Sequence, residues 1–187
     1  VRVLSRNAND RFDEAFWTRR IQYAIDYRRT VMGQDFDNCR LIFGESDGFP
    51  GLTVDRFGPI LVAQVLSLGM ELRKMQLFVL LLQALRAGGE QIDAIYERND
   101  VKLRQKEGLE QGTGFVPLNG LQTGLDGHVT IRENGILYDV DYIHGQKTGF
   151  FLDQKYNRRA AARLAPGKRV LDCFTPVSYT HLTLPRI

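Results

Sequence analysis

Between His144 and Arg159 the chain reads HGQKTGFFLDQKYNRR. Lys147 and Thr148 stand between Gly145 and Gly149, two phenylalanines follow, and an Asp-Gln pair leads into a basic stretch. A Lys-Thr pair after glycine is the end of a phosphate-gripping loop, where consecutive backbone N–H groups wrap the phosphates. That loop needs glycine immediately before the lysine and again five residues earlier. Gln146 occupies the first position and no glycine occupies the second, so the phosphate reading fails. The glycines of GESDGFPG (Gly44, Gly48, Gly51) do not match G-x-G-x-x-G either, and turns explain them. Taken singly, Phe150, Phe151 and Leu152 read as core and Gly145 and Gly149 as bends. A core segment has no need of Gln146, Lys147, Thr148, Asp153, Gln154 and Arg158 around its aromatics. Polar groups at that density beside a buried strand describe the lip of a pocket.

The strand in question is RVLDCF, residues 169–174. An apolar strand ending in an acidic residue opens many α/β cofactor domains, whose ligand sits beyond the strand's carboxyl end. Asp172 falls at that end, and a helix expected over residues 153–164 connects the motif to it. In that helix Tyr156, Ala160 and Leu164 form one stripe, and Lys155, Arg158, Arg159 and Arg163 another.

Upstream, Trp17, Ile21 and Ala24 recur at helical spacing, with Phe16 and Tyr27 widening the stripe. They predict a helix over residues 10–30, with Asp10 or Asp13 at its start. Residues 41–43, 52–57 and 60–66 are short runs of strand formers, broken by Asp47-Gly48, Pro50-Gly51 and Gly58-Pro59. They predict a small antiparallel meander. A second helix is expected over residues 70–87, ended by Gly88-Gly89, then a strand over 92–97. Residues 107–127 carry no clear period. Asn134-Gly135 is the favoured two-residue hairpin turn, because both residues tolerate positive φ. Val129 and Ile131 before it, and Ile136, Tyr138, Val140 and Tyr142 after it, alternate as strand faces.

Bulk properties narrow the function classes. The 187 residues are 43% hydrophobic and 25% charged, an ordinary globular composition. The most apolar run, MQLFVLLLQAL, is well short of the roughly 20 residues that span a bilayer. Two cysteines, Cys39 and Cys173, fit a reducing cytoplasm, and His128, His144 and His181 are too scattered for a zinc site. The net charge is +3, and arginines crowd the first thirty residues: Arg2, Arg6, Arg11, Arg19, Arg20, Arg28 and Arg29. Such runs are solvated helix faces or contacts to a polyanion. The chain opens on Val rather than Met, a hint that the natural N-terminus lies further back.

IFGESDGFPGLTVDRFG, IYERND, the ENG hairpin, GQKTGFFLDQKYNR and VLDCF occur in this order. In that the chain resembles the S-adenosylmethionine-dependent methyltransferases that make 5-methylcytosine in large-subunit ribosomal RNA, over about residues 1–175. The resemblance implies an α/β protein: a central domain with an antiparallel meander and, at its start, the end of a linkage from an RNA-binding PUA domain (residues 1–127). A hairpin and the first helix and strand of a Rossmann-like methyltransferase domain follow (residues 128–175). It implies S-adenosylmethionine as cofactor, with Lys147, Thr148, Phe150, Asp153 and Gln154 on its methionine side and Asp172, Cys173 and Phe174 at the start of the cofactor loop. It further implies ribosomal RNA as partner and a homodimer of the full-length protein. Arg19, Arg20, Arg28, Arg29, Arg158 and Arg159 of the basic runs are the candidate RNA contacts, and the bulk properties point to a cytoplasmic location with no metal or membrane. In the family a Cys thiolate adds to the carbon beside cytosine C5, C5 takes the methyl, and a base then removes the C5 proton and expels the Cys.

After Phe174 this chain departs from the family. Thr175 is followed by PVSYTHLTLPRI, with no glycine for close cofactor approach and no acidic residue for the ribose. The nucleophilic Cys is expected further on, and Cys173, in the cofactor-loop strand, is read as buried packing. Residues 176–187 resemble translated sequencing-adapter read-through. A lone strand and helix cannot close a doubly wound sheet, so the chain as written is expected to bind cofactor weakly or not at all and not to turn over. The alternative is a stand-alone RNA-binding or ribosome-assembly module; the fully written cofactor motif favours the enzyme.

Overall fold

The structure, a computed structural model, describes residues 2–170 and 182–183. Helix α1 (Glu14–Met32) starts later than its stripe predicted because Asp13 is the cap: its carboxylate accepts the Phe16 N–H at 3.0 Å. Phe16, Trp17, Ile21, Ala24 and Ile25 are buried, but Tyr27 is exposed and Arg28 takes the inward position. Arg28 can be buried there because Asp47 pairs with it at 2.7 Å and the Arg40 carbonyl accepts its Nε–H.

Strands β1 (Asn38–Phe43), β2 (Leu52–Phe57) and β3 (Ile60–Val65) form the predicted antiparallel meander. The predicted second helix is two, α2 (Leu68–Glu71) and α3 (Lys74–Ala87). At the break Lys74 bonds both Glu71 (2.8 Å) and Glu97 (3.0 Å), a bridge that turns the polar end of α3 onto the sheet. After α3 the chain enters β4 (Ala94–Arg98), parallel to β3, and then β5 (Thr113–Phe115), antiparallel to β4. The five strands lie in the order β1-β2-β3-β4-β5. The β3–β4 pair is parallel because a helix crossover, not a turn, joins them.

The pleat gives the sheet two apolar faces. Leu52, Val54, Leu61, Ala63, Val65 and Ile95 face α1 and α3 in the larger core. Phe57, Ile60, Val62, Ala94 and Tyr96 belong to a second core on the other side. That face is covered by the hairpin of β6 (His128–Glu133) and β7 (Ile136–Asp141), which contributes Ile131, Tyr138 and Val140. The turn is as predicted, with Asn134 at φ 52° and Gly135 at φ 84°. A two-residue strand β8 (Leu182–Thr183) pairs with β7.

On the hairpin's rim the His128 ring lies 2.9 Å from the Asp139 carboxylate, whose hydrogen bond raises the imidazole pKa above 6.5. The pair's contribution to stability is fully present below the unfolded value and is lost as pH rises through the folded one. An NMR titration of His128 should show the raised pKa, and Asp139→Asn should remove the rise. Both side chains are well exposed, so the stability effect is small.

Helix α4 (Lys155–Leu164) turns part of its basic stripe, and not its apolar one, inward. Tyr156 and Leu164 of the apolar stripe are exposed, whereas Lys155 is buried and Arg158 half-buried. Carboxylates decide this: Asp35 receives Lys155, and Glu133, 3% exposed, receives Arg158 at 2.6 and 2.9 Å. Of the strand predicted over 169–174, residues 169 and 170 are in no regular element, and the remainder lies outside the described residues.

Candidate functional site: the loop between β7 and α4

The motif is a tight loop built on the end of β7. The Asp141 side chain accepts the N–H groups of Ile143 (3.0 Å) and His144 (2.7 Å), and its carbonyl accepts the Gly145 N–H at 3.0 Å. A Cβ on Gly145 would stand 2.2 Å from that carbonyl oxygen, so only glycine fits. The next turn runs from Gln146 to Gly149, closed by Gly149 N–H to Gln146 O at 2.8 Å, with Lys147 at φ 53°. Gly149 itself has φ 117°, and a Cβ there would meet Asp141 O at 2.8 Å.

The five-stranded sheet reaches this loop at two points. Asp55 of β2, fully buried, accepts the Thr148 hydroxyl at 2.6 Å and the Arg40 guanidinium at 2.7 and 2.9 Å. Arg98 of β4 donates from Nη1 to the carbonyls of Tyr142 (3.1 Å) and Gly145 (2.9 Å), while Asp100 holds its Nε and Nη2. The hydrogen bond to Asp55 is the largest cause of a raised Arg40 pKa, and the charge of Asp153 adds to it.

The structure separates the candidate cofactor residues into two groups. Thr148 and Phe150 are buried: Thr148 faces Asp55, and the Phe150 ring lies against Tyr138 (5.1 Å) under the Arg158 guanidinium (4.4 Å). Lys147, Asp153 and Gln154 are exposed. The Lys147 ammonium sits 4.5 Å over the Phe151 ring, and Gln154 contacts Asp153 and Asn157. Asp172, Cys173 and Phe174 lie outside the described residues.

The candidate RNA contacts divide in a similar way. Arg20 is committed to the carbonyls of Leu4 and Gly48, Arg28 to Asp47, Arg29 to Glu90 and Arg158 to Glu133. Arg19 and Arg159 remain exposed. Cys39 is buried, donates to the Phe36 carbonyl, and has its thiol pushed up to about 12 by burial, which makes it packing and not a nucleophile.

Sequence reasoning missed Asp55, Arg98, Arg40 and Glu133. A signal existed for each: a charged residue inside a strand run, in TVDRF, IYER, NCRLIF and TIRE. The partner of each was not legible.

The exposed groups suit one side of S-adenosylmethionine. A lysine suits its carboxylate, a carboxylate and an amide suit its ammonium and hydroxyls, and the half-buried Phe151 offers a flat apolar surface. The cavities found elsewhere, lined by α1 residues such as Arg19 and Tyr23 or by the Gly44–Thr53 region, do not border this loop. Among the described residues no group of three or more His, Cys, Asp or Glu is placed to hold a metal ion, and no helix is long and apolar enough to cross a membrane.

The fold defines a class first. It is the mixed α/β arrangement found in a Streptococcus mutans structure described as a putative SAM-dependent methyltransferase. The two superpose with a TM-score of 0.62 and 21% identity, over 84% of this chain and 38% of that one. A crystal structure described as a putative methyltransferase complexed with S-adenosylhomocysteine gives a TM-score of 0.58 at 22% identity, over 80% of this chain and 35% of that one.

Sequence similarity then points to particular proteins. The chain is 44% identical over 182 residues to the ribosomal RNA large subunit methyltransferase I of Escherichia coli O127:H6, and 45% identical to the protein of that name in Cronobacter sakazakii. Each match covers 96% of this chain and 43% of the relative, so the chain spans less than half the length of these relatives. No protein-family model matches the chain.

Proposed function

We propose that this chain is part of an S-adenosylmethionine-dependent methyltransferase that acts on large-subunit ribosomal RNA and methylates cytosine at carbon 5. The observation that carries the reading is the motif loop. Its two glycines, its buried threonine and its exposed Lys147, Asp153 and Gln154 make a rigid rim of complementary charge. It lies inside a segment 44% identical to a methyltransferase named for this RNA. The cofactor, when bound, supplies a methyl group already activated by a sulfonium.

This chain's residues bind and orient. Lys147 would hold the carboxylate of the methionine moiety, Asp153 and Gln154 would take its ammonium or the ribose hydroxyls, and Phe151 would exclude water from one side. Buried Phe150 and Thr148 set the loop's height above the hairpin. Arg19 and Arg159, the exposed members of the arginine set, are the candidate phosphate contacts. The base and position specificity, and self-association of the full-length protein, rest on the family resemblance.

The test is methyl transfer from labelled S-adenosylmethionine to unmethylated large-subunit RNA by the full-length protein, followed by nucleoside analysis. Labelled 5-methylcytidine is expected. A different methylated nucleoside would remove the cytosine C5 assignment, and absence of label would remove the activity. The 187-residue chain alone is expected to give no turnover in the same assay.

A further inference from the structure

We infer that Asp55 and Arg98 are positioning residues for the motif loop, pinning its two sides to the five-stranded sheet and so setting where Lys147 and Asp153 stand. The inference rests on the reading that this loop borders the methyl donor.

The geometry brackets the turn. Arg98 holds the Gly145 carbonyl, immediately before the turn's outer residues, and Asp55 holds the Thr148 hydroxyl, immediately after them. Between the two anchors only Gln146 and Lys147 are free, and both are exposed. The anchors come from different strands of one sheet, β2 and β4, and from residues 93 and 47 positions away in sequence.

Their chemistry suits positioning better than bulk adhesion. Hydrophobic contact at Tyr142 and Phe150 holds the loop against the sheet without fixing its register. A buried carboxylate and a buried guanidinium are costly unless every partner is in place, so each accepts one arrangement. Asp55 is satisfied by Arg40 on one side and Thr148 on the other. Arg98 is satisfied by Asp100 on its Nε and Nη2 edge and by two loop carbonyls on Nη1. A lysine cannot reproduce that fork.

Amide hydrogen exchange followed by mass spectrometry on this chain tests the anchors. In Thr148→Val, Asp55→Asn and Arg98→Lys, peptides covering residues 142–150 should exchange about tenfold faster or more, the loss of a charge-assisted hydrogen bond. Peptides from β3 should be unchanged, and Thr148→Ser, which keeps the hydroxyl, should match the parent. Unchanged loop exchange in Thr148→Val and Arg98→Lys would overturn the inference. So would equal acceleration in β3, because the residues would then serve general stability only.

The functional half is read in the full-length protein from S-adenosylhomocysteine affinity, expected to weaken about tenfold in Thr148→Val and Arg98→Lys and to recover in Thr148→Ser. Parent loop peptides that gain no protection on saturation with S-adenosylhomocysteine would overturn the cofactor reading and the functional half with it. Accelerated exchange in the variants would establish the anchors independently.

Discussion

Alanine at Gly145 is expected to abolish the loop's native shape. Its Cβ would lie 2.2 Å from the carbonyl oxygen of Asp141, a backbone atom fixed at the end of β7. Overpacking against side chains that can yield costs about 1–3 kcal/mol. Here the neighbour is backbone, and the remaining close atoms belong to Gly149, so a local cost of about 3 kcal/mol or more follows. In the full-length protein S-adenosylhomocysteine binding should weaken about 100-fold. In this chain, exchange should accelerate over residues 142–150 and leave α1 unchanged. Gly124→Ala is the matched control: a Cβ there meets nothing within 4 Å. Binding by Gly145→Ala equal to that of Gly124→Ala would refute the steric argument.

Alanine at Trp17 is expected to give the largest loss of global stability. The indole is fully buried, stacked edge-on with Phe16 at 4.9 Å and tilted against Phe49 at 5.8 Å. Its Nε1–H donates to the Phe12 carbonyl at 3.2 Å, so truncation also leaves an acceptor without its donor. Removing a buried Trp costs about 3–5 kcal/mol, with a melting temperature lower by roughly 6–20 °C for a chain of this size. Thermal unfolding followed by circular dichroism measures it, since the chain has one tryptophan and its fluorescence is lost with the substitution. A fall of less than about 2 °C would mean that α1 is not part of the cooperative core. The two predictions separate function from stability: Gly145 acts on the loop and Trp17 on the larger core, across the sheet from it.

Both sites show what was legible beforehand. The stripe that places Trp17 inside α1 was visible as a helical period, because burial of a helix face repeats every three to four residues. Tyr27 lies on the same expected stripe yet is exposed, since Arg28 pairs with Asp47 and takes the inward position. The two glycines of the motif were visible as bends. Their close approach to Asp141 was not, because it depends on how the loop folds back on β7.

What the sequence by itself determined is the set of local interactions and the resemblance carried by its motifs. The Asn134-Gly135 turn sets the register of β6 and β7, and the Asp13 cap starts α1; partners in these lie a few residues apart, where turn and capping chemistry operate. The tertiary structure alone decided the pairing of buried charges. Thr148 meets Asp55, Arg98 meets the Gly145 carbonyl, Arg158 meets Glu133, and Lys155 meets Asp35. Because of these pairs α4 turns Lys155 and Arg158 inward while Arg159 and Arg163 stay exposed, and the loop is held by a sheet formed much earlier in the chain. The physical reason is that a buried charge has no preferred neighbour in sequence; it requires a partner in space, and only the packed sheets determine which one arrives.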